Sequence, residues 1–196
     1  GLAEQIAAER MLEEWYPRLL AFYAEKIDLH TRLYPGAREA VTALRAAGYR
    51  TSVCTNKPEA LAEVLLTRLG VRDLFGALVG ADTLPVRKPD PAPYVAAVDR
   101  AGGDVAQSLL VGDTLTDRRT AEAAGVPCIL VGFGPSGDAV RDMAPEAVSA
   151  AKMLPPSALR MVRTSSQPRA CTACSSSAVS WMRSVLSGTA SMGSFW

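Results

Sequence analysis

The stretch Leu110-Val111-Gly112-Asp113-Thr114-Leu115-Thr116-Asp117 is a hydrophobic run that stops at one carboxylate and meets a second four positions later. Such a pattern places Asp113 at the end of a strand and Asp117 at the start of a helix, so that both carboxylates can face one pocket. Mg²⁺ takes oxygen ligands in an octahedron and keeps several waters, so one or two protein carboxylates beside a substrate phosphate suffice to hold it. A helix N-terminus at Asp117 adds partial positive charge. Taken alone, the pair reads as readily as a helix cap, with Asp117 satisfying free N–H groups.

Working outward, the same punctuation recurs. Thr55-Asn56-Lys57-Pro58 follows the apolar run around Val53 and Cys54 and opens a helical pattern, with Pro58 in a first turn where its missing N–H does no harm. A hydroxyl and free amides at that place can cradle a phosphate. By itself the segment is equally a strand-to-helix turn capped by Thr55. Lys88 lies in the proline-rich frame Val86 to Pro93. A lysine there can neutralise charge on a transferring phosphoryl group, although a lone loop lysine is more often simply solvated.

Helix and strand signals alternate between these motifs. Ala37 to Ala47 reads as a helix ended by Gly48, Tyr49 to Thr55 as a strand, and Pro58 to Leu69 as a helix closed by Gly70. Ala77 to Gly80 reads as a short strand, and Asp90-Pro91 as the start of a helix ending near Gly102. Ser108 to Gly112 and Cys128 to Val131 read as strands flanking a helix from Asp117 to Ala124. This rhythm predicts an α/β fold with a parallel sheet covered on both faces. Ligands bind such sheets outside the carboxyl ends of the strands, where Thr55, Asp113 and the Lys88 loop are expected.

Ahead of Tyr34-Pro35-Gly36, Leu2 to Lys26 has helical periodicity, with Pro17 expected to divide it into two helices. Trp15, Phe22 and Tyr23 are expected to pack between helices. Beyond about Ala151 the rhythm is lost, serines cluster and no Asp or Glu follows Glu146, so residues 151–196 are expected to be a largely disordered tail, or even an out-of-frame product.

The bulk numbers set limits. The 196 residues fit one domain plus an appendage. A net charge of +1 argues against a dedicated nucleic-acid surface. No run of about 18 apolar residues suggests a membrane span, and Gly1 to Gln5 has no signal-peptide character. Cys54 and Cys128 sit in apolar runs and read as buried thiols of a reducing compartment, hence the cytoplasm. His30, the only histidine, reads as a surface residue, and the lone Cys171-x-x-Cys174 lacks the further ligands that zinc needs.

Taken in order, Tyr34-Pro35-Gly36, Thr55 to Pro58, Lys88 to Pro93 and Gly112 to Asp117 resemble the haloacid dehalogenase (HAD) superfamily of hydrolases, most closely its phosphoglycolate phosphatase branch. The resemblance covers about Tyr34 to Gly134 and more loosely the leading helices. It implies a Rossmann-like core over 34–150, a partial helical cap over 1–33, and a Mg²⁺-dependent phosphatase of small phosphorylated metabolites, 2-phosphoglycolate foremost, acting through an aspartyl-phosphate. On this resemblance Thr55 binds phosphoryl oxygens and Lys88 steadies nucleophile and phosphate. Asn56 and Gly112 line the pocket, Asp113 ligates Mg²⁺, and Asp117 ligates it directly or through water. No Asp-x-Asp motif occurs in the chain, although the family's nucleophile has that form and ends a first strand lying between those of Thr55 and Gly112. The expectation is an N-terminally truncated core lacking that strand and inactive by itself. Other readings are a phosphomutase or haloacid dehalogenase on the same scaffold, or a non-catalytic truncated product; oligomeric state is not legible.

Overall fold

The computed structural model describes residues 2–134, 136–149 and 170–174. Among these residues, five α-helices and six strands follow in chain order: α1 Leu2–Glu25, α2 Ala37–Ala46, β1 Arg50–Cys54, α3 Glu59–Arg68, β2 Ala77–Val79, α4 Ala92–Arg100, β3 Ser108–Gly112, α5 Leu115–Ala124, β4 Cys128–Val131, β5 Ala147–Ser149 and β6 Ala170–Cys174. The strands form one sheet in the order β2-β1-β6-β3-β4-β5, and every neighbouring pair is parallel.

Side-chain alternation along the strands explains the two covered faces. Cys54, Val79, Leu110 and Leu130 point to one face, where Tyr94, Ala97 and Val98 of α4 and Ala121 of α5 close over them. Val53 and Leu78 point to the other, against Val41 of α2 and Ala62 and Leu66 of α3. Leu109 and Ile129 extend that second face toward Leu44 of α2. Leu110 and Leu130 are fully buried, and each such side chain stabilises the fold by about 1.5–3 kcal/mol. The core therefore forms a sandwich whose sheet ends open onto loops at the carboxyl edge.

Four expectations are corrected. Pro17 lies inside α1 and does not divide it; the ring removes a single N–H from the ladder, which bends or weakens a helix without having to end it. Trp15 and Phe22 do not pack between helices: they are 56% and 58% exposed. Tyr23 alone of that trio is partly buried, beside Ile27, Leu61 and Leu65. Helix α5 starts at Leu115 with Thr114 as N-cap, two residues before the expected start at Asp117.

The fourth correction concerns the tail. Ala170–Cys174, assigned from sequence to a disordered segment, is the strand β6 between β1 and β3, the position expected to be vacant. It pairs along Arg50↔Ala170 to Cys54↔Cys174 on one side and Ser108↔Ala170 to Val111↔Ala173 on the other. The sequence signal is weak because Ala170-Cys171-Thr172-Ala173-Cys174 has small residues and a single β-branched one, without the Val/Ile/Leu run that marks β3 and β4. Buried backbone groups left unpaired cost about 1–3 kcal/mol each, so the edges of β1 and β3 together favour any chain that can lie there. The remainder of 151–196 lies outside the described residues. Among the described residues, no helix is long and apolar enough to cross a membrane.

Candidate active site at the carboxyl edge of the sheet

Thr55 and Asp113 each follow the last residue of a strand, β1 and β3, and both are buried. Lys88, from the loop joining β2 to α4, is buried as well, and its Nζ donates to Asp117 Oδ1 at 2.8 Å. The Asn56 side-chain amide donates to the Lys88 carbonyl at 3.0 Å. The Asp113 backbone N–H donates to Asp117 Oδ2 at 3.2 Å. These contacts join Thr55-Asn56, Lys88, Gly112, Asp113 and Asp117 into one cluster, so every site residue expected from the sequence lies at the same rim.

Asp117 proves to be both cap and partner. In the third position of α5 it forms a capping box with Thr114. Its Oδ2 accepts from the Thr114 N–H at 3.0 Å and the Thr114 hydroxyl at 2.6 Å, besides the Asp113 N–H. With Lys88 on Oδ1, both carboxylate oxygens are engaged. The pair is almost wholly out of water, so the charges depend on each other.

Asp113 is the opposite case. Both of its carboxylate oxygens are buried without a hydrogen-bond partner, as is Asn56 Oδ1. Burial first, and then the Asp117 carboxylate, push the Asp113 carboxyl up from 3.8 to about 7, against the pull of the Lys88 ammonium. A buried carboxylate without a partner is costly, and such sites are where cations are held. The donor set fits a hard divalent cation that takes oxygen ligands, with Asp113 as the available protein ligand. No group of three or more His, Cys, Asp or Glu stands together among the described residues, so water or substrate oxygens would complete the shell.

Two glycines make room for this arrangement. A Cβ on Gly112 would stand 2.4 Å from Asp117 Cβ, and one on Gly134 would stand 2.7 Å from Asp113 Oδ2. Gly112 is thus needed for the approach of α5 to β3, which explains its place beside the motif. Gly134 was missed by sequence reading, as was the Thr114 cap. A Thr three residues before Asp was the one legible signal among these.

Thr55 accepts the Lys57 N–H on its hydroxyl oxygen at 3.1 Å, and its own proton has no acceptor among the described residues. The rim therefore presents a hydroxyl donor, a buried ammonium and a buried carboxylate whose oxygens accept no hydrogen bond. Together these suit an anionic oxygen ligand and a metal. His30 is exposed, and Cys54 and Cys128 are buried, as expected. Burial raises the Cys128 thiol to about 12, which disfavours the reactive thiolate. Cys171 and Cys174 lie in β6.

The model of the haloacid dehalogenase-like hydrolase family matches residues 3–125. Among curated relatives, the phosphoglycolate phosphatase of Rhodospirillum rubrum is 47% identical over 67% of this chain and 54% of its own length. Among solved structures, a predicted phosphoglycolate phosphatase of Haemophilus somnus superposes with a TM-score of 0.55 at 33% identity, covering 60% of this chain and 52% of that one. A protein of Lactobacillus delbrueckii subsp. bulgaricus shares the fold, with a TM-score of 0.64 at 24% identity over 75% of this chain and 60% of its own. The chain spans about half the length of the curated relatives it matches. With the matched model covering most of the chain and the motif residues gathered at one sheet edge, this chain belongs to the haloacid dehalogenase-like hydrolases.

Proposed function

We propose that this chain carries the phosphate-binding and metal-binding half of a Mg²⁺-dependent phosphatase acting on small phosphorylated metabolites, with 2-phosphoglycolate as leading substrate and the cytoplasm as its place of action. The observation that carries the reading is the unpartnered Asp113 carboxylate beside the Lys88–Asp117 pair. The relatives named phosphoglycolate phosphatase supply the substrate.

In this reading the Thr55 hydroxyl donates to a phosphoryl oxygen, and Lys88, held by Asp117, faces the charge that grows on the phosphoryl group. Asn56 pins the Lys88 backbone and so fixes its reach. Asp113 would hold Mg²⁺ directly, its oxygens being free of other partners. Asp117 would act through water, because its oxygens are already occupied. Bound there, Mg²⁺ supplies positive charge against the substrate oxygens.

The resemblance implies attack by an aspartate nucleophile and an aspartyl-phosphate intermediate, yet the chain has no Asp-x-Asp motif and no Asp or Glu after Glu146. The strand beside β1 and β3 therefore brings no carboxylate to the rim. That observation favours a second reading: the 196-residue chain is a binding-competent but non-catalytic product. Loss of a covalent nucleophile costs about a million-fold in rate elsewhere.

Calorimetry and turnover test both readings. The chain should bind Mg²⁺ and inorganic phosphate, and should release almost no phosphate from 2-phosphoglycolate or chloride from haloacids. Absence of Mg²⁺ binding would sink the metal assignment, and robust Mg²⁺-dependent turnover would sink the inactive reading.

A further inference from the structure

The Lys57 side chain touches none of Thr55, Lys88, Asp113 and Asp117 in a hydrogen bond or ion pair, yet backbone and side-chain contacts fix the residue beside them. Its N–H donates to the Thr55 hydroxyl at 3.1 Å. Its carbonyl accepts from the Ala81 N–H at 3.0 Å. Its ammonium donates to the Tyr23 hydroxyl at 2.9 Å and lies 4.4 Å from the centroid of that ring. Tyr23 belongs to α1, and the end of α1 is anchored to α3 through Leu20, Tyr23 and Ala24, with Ile27 of the following turn, against Leu61 and Leu65. The lysine is partly buried, and no carboxylate lies within 4.0 Å of its nitrogen among the described residues.

That environment is unusual for a lysine that serves only to solubilise the surface. An ammonium has three donors, of which one is used. An aromatic face and a neutral hydroxyl hold it in place without neutralising its charge. The buried cation at this rim, Lys88, is already committed to Asp117. A positive charge kept rigid and uncompensated, two residues from a phosphate-binding hydroxyl, is suited to an anion that arrives with the ligand.

We propose that Lys57, seated on Tyr23, is a specificity-determining residue that binds a second anionic group on the alcohol half of the phosphate ester, a carboxylate. The ligand class is then a phosphorylated hydroxy-acid, and simple alkyl phosphates are discriminated against. This assignment rests on the phosphate-binding reading of Thr55 and Lys88. It also gives the helical lead-in a task at the site, since Tyr23 is what holds the ammonium there.

The test is isothermal titration of the 196-residue chain, in Mg²⁺, with 2-phosphoglycolate and with ethyl phosphate, which lacks the carboxylate. The native chain should bind 2-phosphoglycolate about tenfold more tightly, the factor equivalent to 1.4 kcal/mol. Lys57→Met should bring the two ligands within about twofold while leaving ethyl phosphate unchanged. Lys57→Arg should keep most of the preference, and Tyr23→Ala should lose most of it. A preference that survives Lys57→Met, or a parallel weakening of both ligands, overturns the assignment. If ethyl phosphate binds and the carboxylate adds nothing in the native chain, the phosphate reading stands and the Lys57 assignment falls. If neither ligand binds, the phosphate reading itself falls and takes the assignment with it.

Discussion

Replacing Asp113 by asparagine should stabilise the metal-free protein above neutral pH while removing its response to Mg²⁺. The Asp113 carboxyl is buried, has no hydrogen-bond partner and is pushed up to about 7 from 3.8. A folded-state value above the unfolded one means that the folded protein holds the proton more tightly. The stabilising effect is fully present below pH 3.8 and is lost as pH rises through about 7. At about 1.36 kcal/mol per pH unit, that interval corresponds to about 4 kcal/mol lost between acid and mildly alkaline conditions. Other groups titrate in the lower part of this range, so the comparison that isolates Asp113 is native against variant. The asparagine amide is neutral throughout, so the two proteins should converge near pH 4 and diverge by a few kcal/mol at about pH 8, the variant being the more stable. Urea unfolding followed by circular dichroism, in a chelating buffer at a series of pH values, measures this. Adding Mg²⁺ at about pH 8 should raise the midpoint of the native chain, as a ligand that binds only the folded state must, and leave the variant unmoved. Equal pH profiles for the two proteins, or a variant that is weaker in mild alkali without metal, would refute the idea that an uncompensated charge is stored at Asp113.

Three further outcomes are expected. Lys88→Met should leave Asp117 as a buried unpaired charge and destabilise the fold by about 3–5 kcal/mol, and the double variant with Asp117→Asn should recover part of that in the same urea measurement. Gly112→Ala should cost about 1–3 kcal/mol, since the new methyl meets Asp117 at 2.4 Å, and should weaken Mg²⁺ binding in calorimetry by displacing the start of α5. Ending the chain before Ala170 should remove the strand that pairs with both β1 and β3; because stability totals only about 5–15 kcal/mol, the shortened chain should show no cooperative thermal transition, whereas an unchanged melting curve would argue that β6 contributes nothing.

Much of this was legible in the chain itself. The apolar run of Ser108–Gly112, the apolar run of Cys128–Val131 and the glycines after α2, α3 and α5 declare their elements through neighbours a few residues away, because turn chemistry and side-chain period are local properties. The motif residues could be assigned to the sheet edge for the same reason: each terminates its own strand or begins its own helix. What needed the tertiary structure was everything that joins segments distant in sequence. Lys88 meets Asp117 across 29 positions, and that pairing is what separates an occupied carboxylate from the orphan at Asp113. Gly134 abuts Asp113, and Tyr23 seats Lys57, through packing that no periodicity encodes. The insertion of Ala170–Cys174 between β1 and β3 is the extreme case. Its five small residues carry little strand signal of their own, and the backbone edges of β1 and β3 that pair with them come together only through the tertiary fold.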